Sequence, residues 1–470
     1  MWERVYEAFI RLRYLNAFPP GLFLILLGLY AYNAFRWRRF ILYTLPLHIS
    51  INLYFRVTDS VTLNMVELLA ILASAAWVAR SLWPAIRQQG LWSALRAQVL
   101  DSPLSLALLI YMLSYLALLF NAPLGEETVK GLVRSAEIGM LFFALRDAIR
   151  SRGDVAAVLG TLLASSLFVG ALTWYQRWFI PDLISYYRHV ATLIDLWLLP
   201  KVPWWYEGFV GLSPVVRVGG NIDPSGLSTS IYLPPVILLA LLAAWWAEGE
   251  VRARLWAKRA ALLALAGLLG GALFFTLSRS GIYAFAGALG LVAFLLKPKY
   301  VLYLAAAGLV VVALASQFTE NYAIARVLSQ SSDALSSLSG RPVLLLRSWE
   351  IVKTSPWIGA GMSSFGTGEG QSYPHNQYMA VWQARGVAAF LSLLAVFALA
   401  AWRAWQSYRT ATDRFARGVL IWCLGAMAAY ALHGLAHTPL DEIQIGAIFW
   451  LALAVAEALR RQALAVPSTA

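Results

Sequence analysis

Gly340-Arg341-Pro342, Trp349, Pro356-Trp357, Gly359-Ala360-Gly361 and Pro374-His375-Asn376 follow one another within residues 316–386, between long apolar runs. This polar stretch decides the reading of the chain. Apolar helices on either side hold it at a membrane surface, and it gathers arginine, glycine, aromatic and histidine residues that a plain connector does not need. Residues 316–375 are therefore expected to form a large, partly helical loop roofing a site at one face of the bilayer.

Composition supports the membrane around it. Of 470 residues, 60% are hydrophobic and 13% charged, and the mean hydropathy is +0.65. A soluble fold of this length cannot bury so much apolar surface in one core. The net charge of +13 fits basic cytoplasmic loops and attraction to anionic lipid rather than nucleic acid. Cys423 is the single cysteine, which excludes an internal disulfide and a thiolate metal cluster. Met1–Pro20 is basic and aromatic without a small-residue cleavage site, so insertion is expected to rest on the first apolar segments.

Working outward, apolar spans are expected at about 18–34, 40–56, 61–79, 103–120, 131–149, 155–176, 228–247, 260–277, 282–296, 300–315, 376–402, 418–435 and 442–459. Each approaches the ~20 residues that cross a ~30 Å hydrocarbon layer. The fold class expected is an all-α polytopic membrane protein of 12–13 transmembrane helices, forming one integral membrane domain over 1–470. Basic clusters at Arg36–Arg39, Arg80–Arg96, Arg252–Arg259, Lys297–Lys299, 403–417 and Arg460-Arg461 are assigned to the cytoplasm. Alternation then puts 177–226, 278–281, 316–375 and 433–441 on the opposite face.

Four candidates fall on that face: Arg217, Arg279, Arg341 and His375. Arg279 stands between two apolar helices with almost no loop, and a guanidinium at membrane depth costs roughly 2.5–3.5 kcal/mol unless it meets a cavity or partner. Snorkelling to headgroups is the alternative for each arginine alone. Together they suit a diphosphate, because guanidinium groups grip phosphate oxygens in pairs and stay charged in a low dielectric. Arg347 is a weaker candidate among Leu344–Leu346. His375 opens an apolar span and has the ordinary titration range of a general base; a capping or interfacial histidine is the alternative. His433 and His437, at i and i+4, could suit a metal but lack a third ligand of fitting spacing, so polar packing is the preferred reading. No metal and no cofactor is expected. Gly359–Gly370 neither follows a strand nor contains a P-loop lysine, which argues against a nucleotide.

The order Gly340-Arg341, Trp349, Pro356, Gly359-x-Gly361, His375-Asn376 and Gly386, preceded by Ser278-Arg279-Ser280-Gly281, resembles the bacterial O-antigen ligase and polymerase superfamily. In the ligase pattern a His-Asn is followed by a Gly, as His375-Asn376 and Gly386 are here. Val387-Ala388-Ala389-Phe390 stands where Gly/Thr residues follow in ligases, which leaves polymerase against ligase open. The resemblance implies a GT-C-like, metal-independent glycosyltransferase of the bacterial inner membrane with its site facing the periplasm. It implies an undecaprenyl-diphosphate-linked glycan as donor, and lipid A–core or a second lipid-linked glycan as acceptor. By that analogy Arg217, Arg279 and Arg341 hold the diphosphate, with Arg347, Asn376 and Tyr373 as further substrate contacts, and His375 activates the acceptor hydroxyl. A flippase for lipid-linked oligosaccharide is the alternative, although it would favour polar residues at mid-span and paired repeats.

Overall fold

The computed structural model describes residues 20–50, 54–56, 62–121, 126–179, 253–276, 278–318, 332–365, 372–440 and 443–465, with six helical residues between 233 and 240. Within them the chain is helical apart from one short hairpin. Helices α1 (Pro20–Arg36) and α2 (Phe40–Ser50) lead to strands β1 (Tyr54–Arg56) and β2 (Thr62–Asn64). Then come α3 (Met65–Trp77), α4 (Leu91–Gln98), α5 (Pro103–Leu113), α6 (Glu126–Ala148) and α7 (Arg152–Phe179). The remainder comprises α8 (Ala253–Phe275), α9 (Arg279–Leu296), α10 (Lys299–Phe318), α11 (Ser332–Thr354), α12 (Gln377–Thr410), α13 (Arg414–His433) and α14 (Ile443–Ala465).

Five helices among the described residues are long and apolar enough to cross a membrane: Met65–Gln89, Pro103–Phe120, Arg152–Tyr175, Gln377–Thr410 and Arg414–His433. The chain is an all-α polytopic membrane protein. The sequence expectation of spans at 40–56 and 61–79 is corrected in one place. Helix α2 ends at Ser50, and β1 pairs antiparallel with β2 through Tyr54↔Asn64, Phe55↔Leu63 and Arg56↔Thr62. The β-branched and turn-forming residues of Arg56–Thr62 favour a hairpin over a continued helix. Eleven residues rise only about 16 Å, short of the bilayer core.

Helix α14 forms the axis of the core. Ala447–Ala456 is buried on every side, as expected of a helix apolar all round and ringed by others. It packs on α6, α12 and α13, while α12 also packs on α5, and α9 lies along α13. The caps are local: Ser102, Ser278, Asn376 and Asp413 each accept a backbone N–H from the first turn of α5, α9, α12 and α13.

Helices α12 and α13 are antiparallel, so Gln377 and His433 share one end of the bundle, with Thr410 and Arg414 at the other. Most of the ion pairs gather at the Thr410 end: Arg146–Asp101 (3.0 Å), Arg152–Asp413 (3.1 Å), Arg403–Glu457 (3.3 Å) and Arg460–Glu457 (2.8 Å), with Arg461 also on Asp101. The basic turns thus lie at one end and residues 278–281, 341 and 373–376 at the other.

Candidate functional site

Helix α12 is broken where the site begins. Gly386 has φ 79° inside the helix. The carbonyls of Gln383 and Ala384 lose their helical donors there and accept instead from Ala360 N (2.7 Å) and Gly361 N (3.1 Å). In exchange, Val387 N donates to Pro356 O (2.9 Å). The two backbones touch: a Cβ on Gly386 would lie 2.0 Å from Trp357 O, and one on Gly359 would lie 2.4 Å from the Ala384 carbonyl carbon. The Pro356–Gly361 and Gly386 spacing is therefore a backbone-to-backbone dock that satisfies helix groups otherwise exposed at membrane depth. Below Gly386 the helix runs roughly 36 Å to Thr410 at 1.5 Å per residue, enough to cross the hydrocarbon layer. The segment above it carries the His375 turn at its start.

That upper segment is stitched on all sides. Gln383 is buried and its Nε2 donates to Ser364 O (3.1 Å), Ser364 Oγ (3.0 Å) and Ser372 O (2.9 Å). Ser348 Oγ of α11 donates to Ser372 Oγ (3.1 Å), and Ser372 Oγ donates to Leu344 O (2.9 Å). Trp349 meets Trp382 edge-on, with ring centroids 5.6 Å apart. These contacts hold α11 against the His375 turn and so set the height of Arg341. Asn376 caps α12 through Met379 N (2.9 Å), and its Nδ2 donates to Leu435 O (3.0 Å). Gln377 N donates to Gly434 O (2.7 Å) and Gln377 Oε1 accepts from Leu440 N (2.8 Å). The residues after α13 are thereby clamped beside His375.

His375 itself has φ 45°, the one non-glycine residue at positive φ among those described. Such a backbone costs of order 1–3 kcal/mol and persists only where surroundings over-determine it. Its ring meets Tyr373 edge-on at 4.9 Å, Tyr373 meets Phe365 at 5.6 Å, and the Tyr373 hydroxyl shares a hydrogen bond with Thr438 Oγ1 (2.5 Å). Burial, and then the Arg341 charge, hold the His375 imidazole below its ordinary titration range. It is accordingly neutral at neutral pH, the form that accepts a proton.

Arg341 acts electrostatically on His433 as well as on His375. His433 lies at a ring distance of 5.3 Å from His437, and its Nε2 meets Ser280 Oγ at 3.2 Å. Ser280 follows Arg279, the first residue of α9, in a turn capped by Ser278 Oγ on Gly281 N (3.4 Å). The Arg279 backbone is consequently brought to the same end and the same group of side chains as Arg341 and His375. The Arg279 side chain and the whole of Arg217 lie outside the described residues.

Other candidates separate. Arg347 is exposed on α11, and six residues along a helix turn it about 120° from Arg341. The amide of Asn376 is engaged by protein on both sides, which makes it a cap and a clamp. His433 joins the site through the Arg341 charge, with His437 against its ring. Among the described residues no group of three or more His, Cys, Asp or Glu could hold a metal ion. Sequence reasoning also missed Arg385, buried next to Gly386. Its guanidinium lies over the rings of Tyr111 (4.5 Å) and Tyr115 (3.8 Å), and its Nη2 donates to Tyr111 Oη (2.9 Å). An arginine just before a helix-breaking glycine in an apolar span was the available signal, since a cation there needs partners.

No curated protein matches this chain. Residues 262–394 match a family model described as O-antigen ligase, a segment that runs from α8 through Arg279, Arg341 and His375 to beyond Gly386. That match covers a little over a quarter of the chain and, with the helical membrane architecture, makes the segment similar to the O-antigen ligase and polymerase superfamily.

Proposed function

We propose that the protein moves a glycan from an undecaprenyl-diphosphate carrier to an acceptor hydroxyl, at the end of the bundle that holds His375, Arg341 and the Arg279 turn. The observation that carries this reading is the convergence of Arg341, His375 and the Arg279 turn, drawn from three distant segments. His375 takes the acceptor hydroxyl proton as the new bond forms between acceptor oxygen and the anomeric carbon. The bond from that carbon to the diphosphate oxygen breaks, and Arg279, Arg341 and Arg217 neutralise the departing diphosphate. A diphosphate is a stable anion, so this charge stabilisation replaces a metal or a general acid. Asn376 positions His375 through the cap, and Tyr373 supports the imidazole edge-on. Arg347 serves as a peripheral contact for glycan or headgroup.

By the positive-inside rule the ion-paired basic end faces the cytoplasm of the inner membrane, which turns the site to the periplasm. The acceptor is lipid A–core if the enzyme is a ligase and a second lipid-linked repeat if it is a polymerase. Purified protein with a polyprenyl-diphosphate glycan donor tests the reading. Arg279→Ala and His375→Ala should each lower transfer by about 10²–10⁴-fold, the usual contribution of a general base or a charge-stabilising group. Near-normal turnover in folded His375→Ala would defeat the role assignment. In a host lacking the gene, unattached polymer marks a ligase and single attached repeats mark a polymerase.

A further inference from the structure

At the opposite end of the bundle from His375, the α1–α2 turn and the α6–α7 turn enclose an open cavity of about 660 Å³. Trp37, Arg38, Arg39, Tyr43, Arg150 and Asp154 line it. Asp154 is buried and fixes the wall: one oxygen accepts Arg150 N (3.0 Å) and Ser151 N (2.9 Å), and the other pairs with Arg39 Nε at 2.6 Å. Asp147 pairs with Arg38 (2.5 Å) and Arg150 (3.4 Å), and Arg80 acts electrostatically on the same pair. Four guanidinium groups against two carboxylates leave the cavity about two charges positive. Arg38 Nε is buried in the wall with no hydrogen-bond partner among the described residues, whereas the Arg39 and Arg150 side chains are both 64% exposed.

The apolar side of the cavity decides what kind of anion fits. Tyr43 and Leu47, four residues apart on α2, are exposed and continue one face from the cavity towards the membrane interior. Trp37 is exposed at the mouth, the position of an interfacial tryptophan. A free phosphate uses only the arginines, whereas a phospholipid uses both halves. Its phosphodiester meets the guanidinium groups in paired hydrogen bonds while its acyl chains lie along Tyr43 and Leu47. We propose that this cavity is a binding site for one anionic phospholipid of the leaflet at the basic end. It requires only that this end lie at a lipid surface, so it stands or falls independently of glycan transfer.

The test is native mass spectrometry of the full chain released from nanodiscs containing phosphatidylcholine and phosphatidylglycerol in equal parts. Wild type should retain phosphatidylglycerol preferentially. Arg39→Gln with Arg150→Gln should lower that retention by roughly fivefold per arginine, the usual effect of one basic side chain at an anionic surface. Both positions are exposed, and Asp154 keeps its two backbone donors; Arg150→Glu alone changes the charge by the same two units and serves as a second variant that should lower retention to a similar extent. Lys297→Gln with Lys299→Gln removes as much charge from the same end outside the cavity and should leave retention unchanged. Equal retention in wild type and both arginine variants would overturn the site. So would equal loss in the lysine variant, or full displacement of the lipid by inorganic phosphate.

Discussion

The two ends of the bundle use the same side chain for opposite purposes. At the Thr410 end, arginines meet carboxylates: Glu457 takes Arg403, Arg460 and Arg461, and Asp101 takes Arg146 and Arg461. At the His375 end, the electrostatic neighbours of Arg341 include the imidazoles of His375 and His433. A guanidinium beside a carboxylate has its charge balanced within the fold, and it contributes to stability. One beside imidazoles repels their protons. The lesson is that arginine count says little about a ligand; the sign of what surrounds each arginine says much more.

The comparison breaks most easily at Glu457. Replacing it by Ala leaves partly buried arginines without their shared carboxylate, and loss of one partner of a buried pair costs about 3–5 kcal/mol. Thermal unfolding in detergent should show that loss, while the folded fraction keeps its transfer rate. An unaltered melting temperature would mean that the basic end is not held together by its ion pairs.

Gly386→Ala probes the other end with a mixed effect on stability and turnover. The backbone at φ 79° costs about 1–3 kcal/mol for a side-chain-bearing residue, before the overlap with Trp357 O. Stability should fall, and transfer should fall with it, because the same dock sets the height of His375. Melting and turnover measured on one preparation separate this from a purely global loss: the folded fraction itself should be slower.

Arg341→Gln sharpens the electrostatic half of the contrast. The proposed role of His375 as a base requires its neutral form, so activity should rise with pH through its depressed titration and then level. Removing the neighbouring charge lets that titration move up towards the ordinary histidine value, although burial still holds it down. The acid limb of the kcat/KM profile should therefore move to higher pH in Arg341→Gln and stay in place in Arg341→Lys. An unmoved limb in the Gln variant would separate Arg341 from His375.

Ser280→Ala should have the smallest effect. It removes the hydrogen bond to His433 Nε2, worth about 0.5–1.5 kcal/mol. Transfer should drop by up to about tenfold through looser placement of the Arg279 turn, with melting nearly unchanged. A drop in stability with full activity would reduce that bond to packing.

Much of this was legible from local pattern. Apolar runs near twenty residues gave the membrane class, and Pro374-His375-Asn376 ahead of an apolar run marks a helix start, where Asn376 caps α12. Ser278-Arg279-Ser280-Gly281 reads as a tight turn between two apolar spans, and the structure adds the Ser278 cap. These signals need only the helix period and the chemistry of nearby residues, which any chain carries in its order. The interruption of α2 was read too long because hydropathy alone does not weigh β-branched turn residues against a continuing helix.

What the tertiary structure decided is which distant groups meet. The Arg341 charge acting on His375 and His433, Ser280 beside His433, Arg385 over Tyr111 and Tyr115, and Gly386 against Trp357 all join residues far apart in the chain or on different helices. Their partners are chosen by how helices pack around α14 and by where a broken helix finds replacement donors. That choice depends on the whole bundle at once, so no single stretch of sequence contains it.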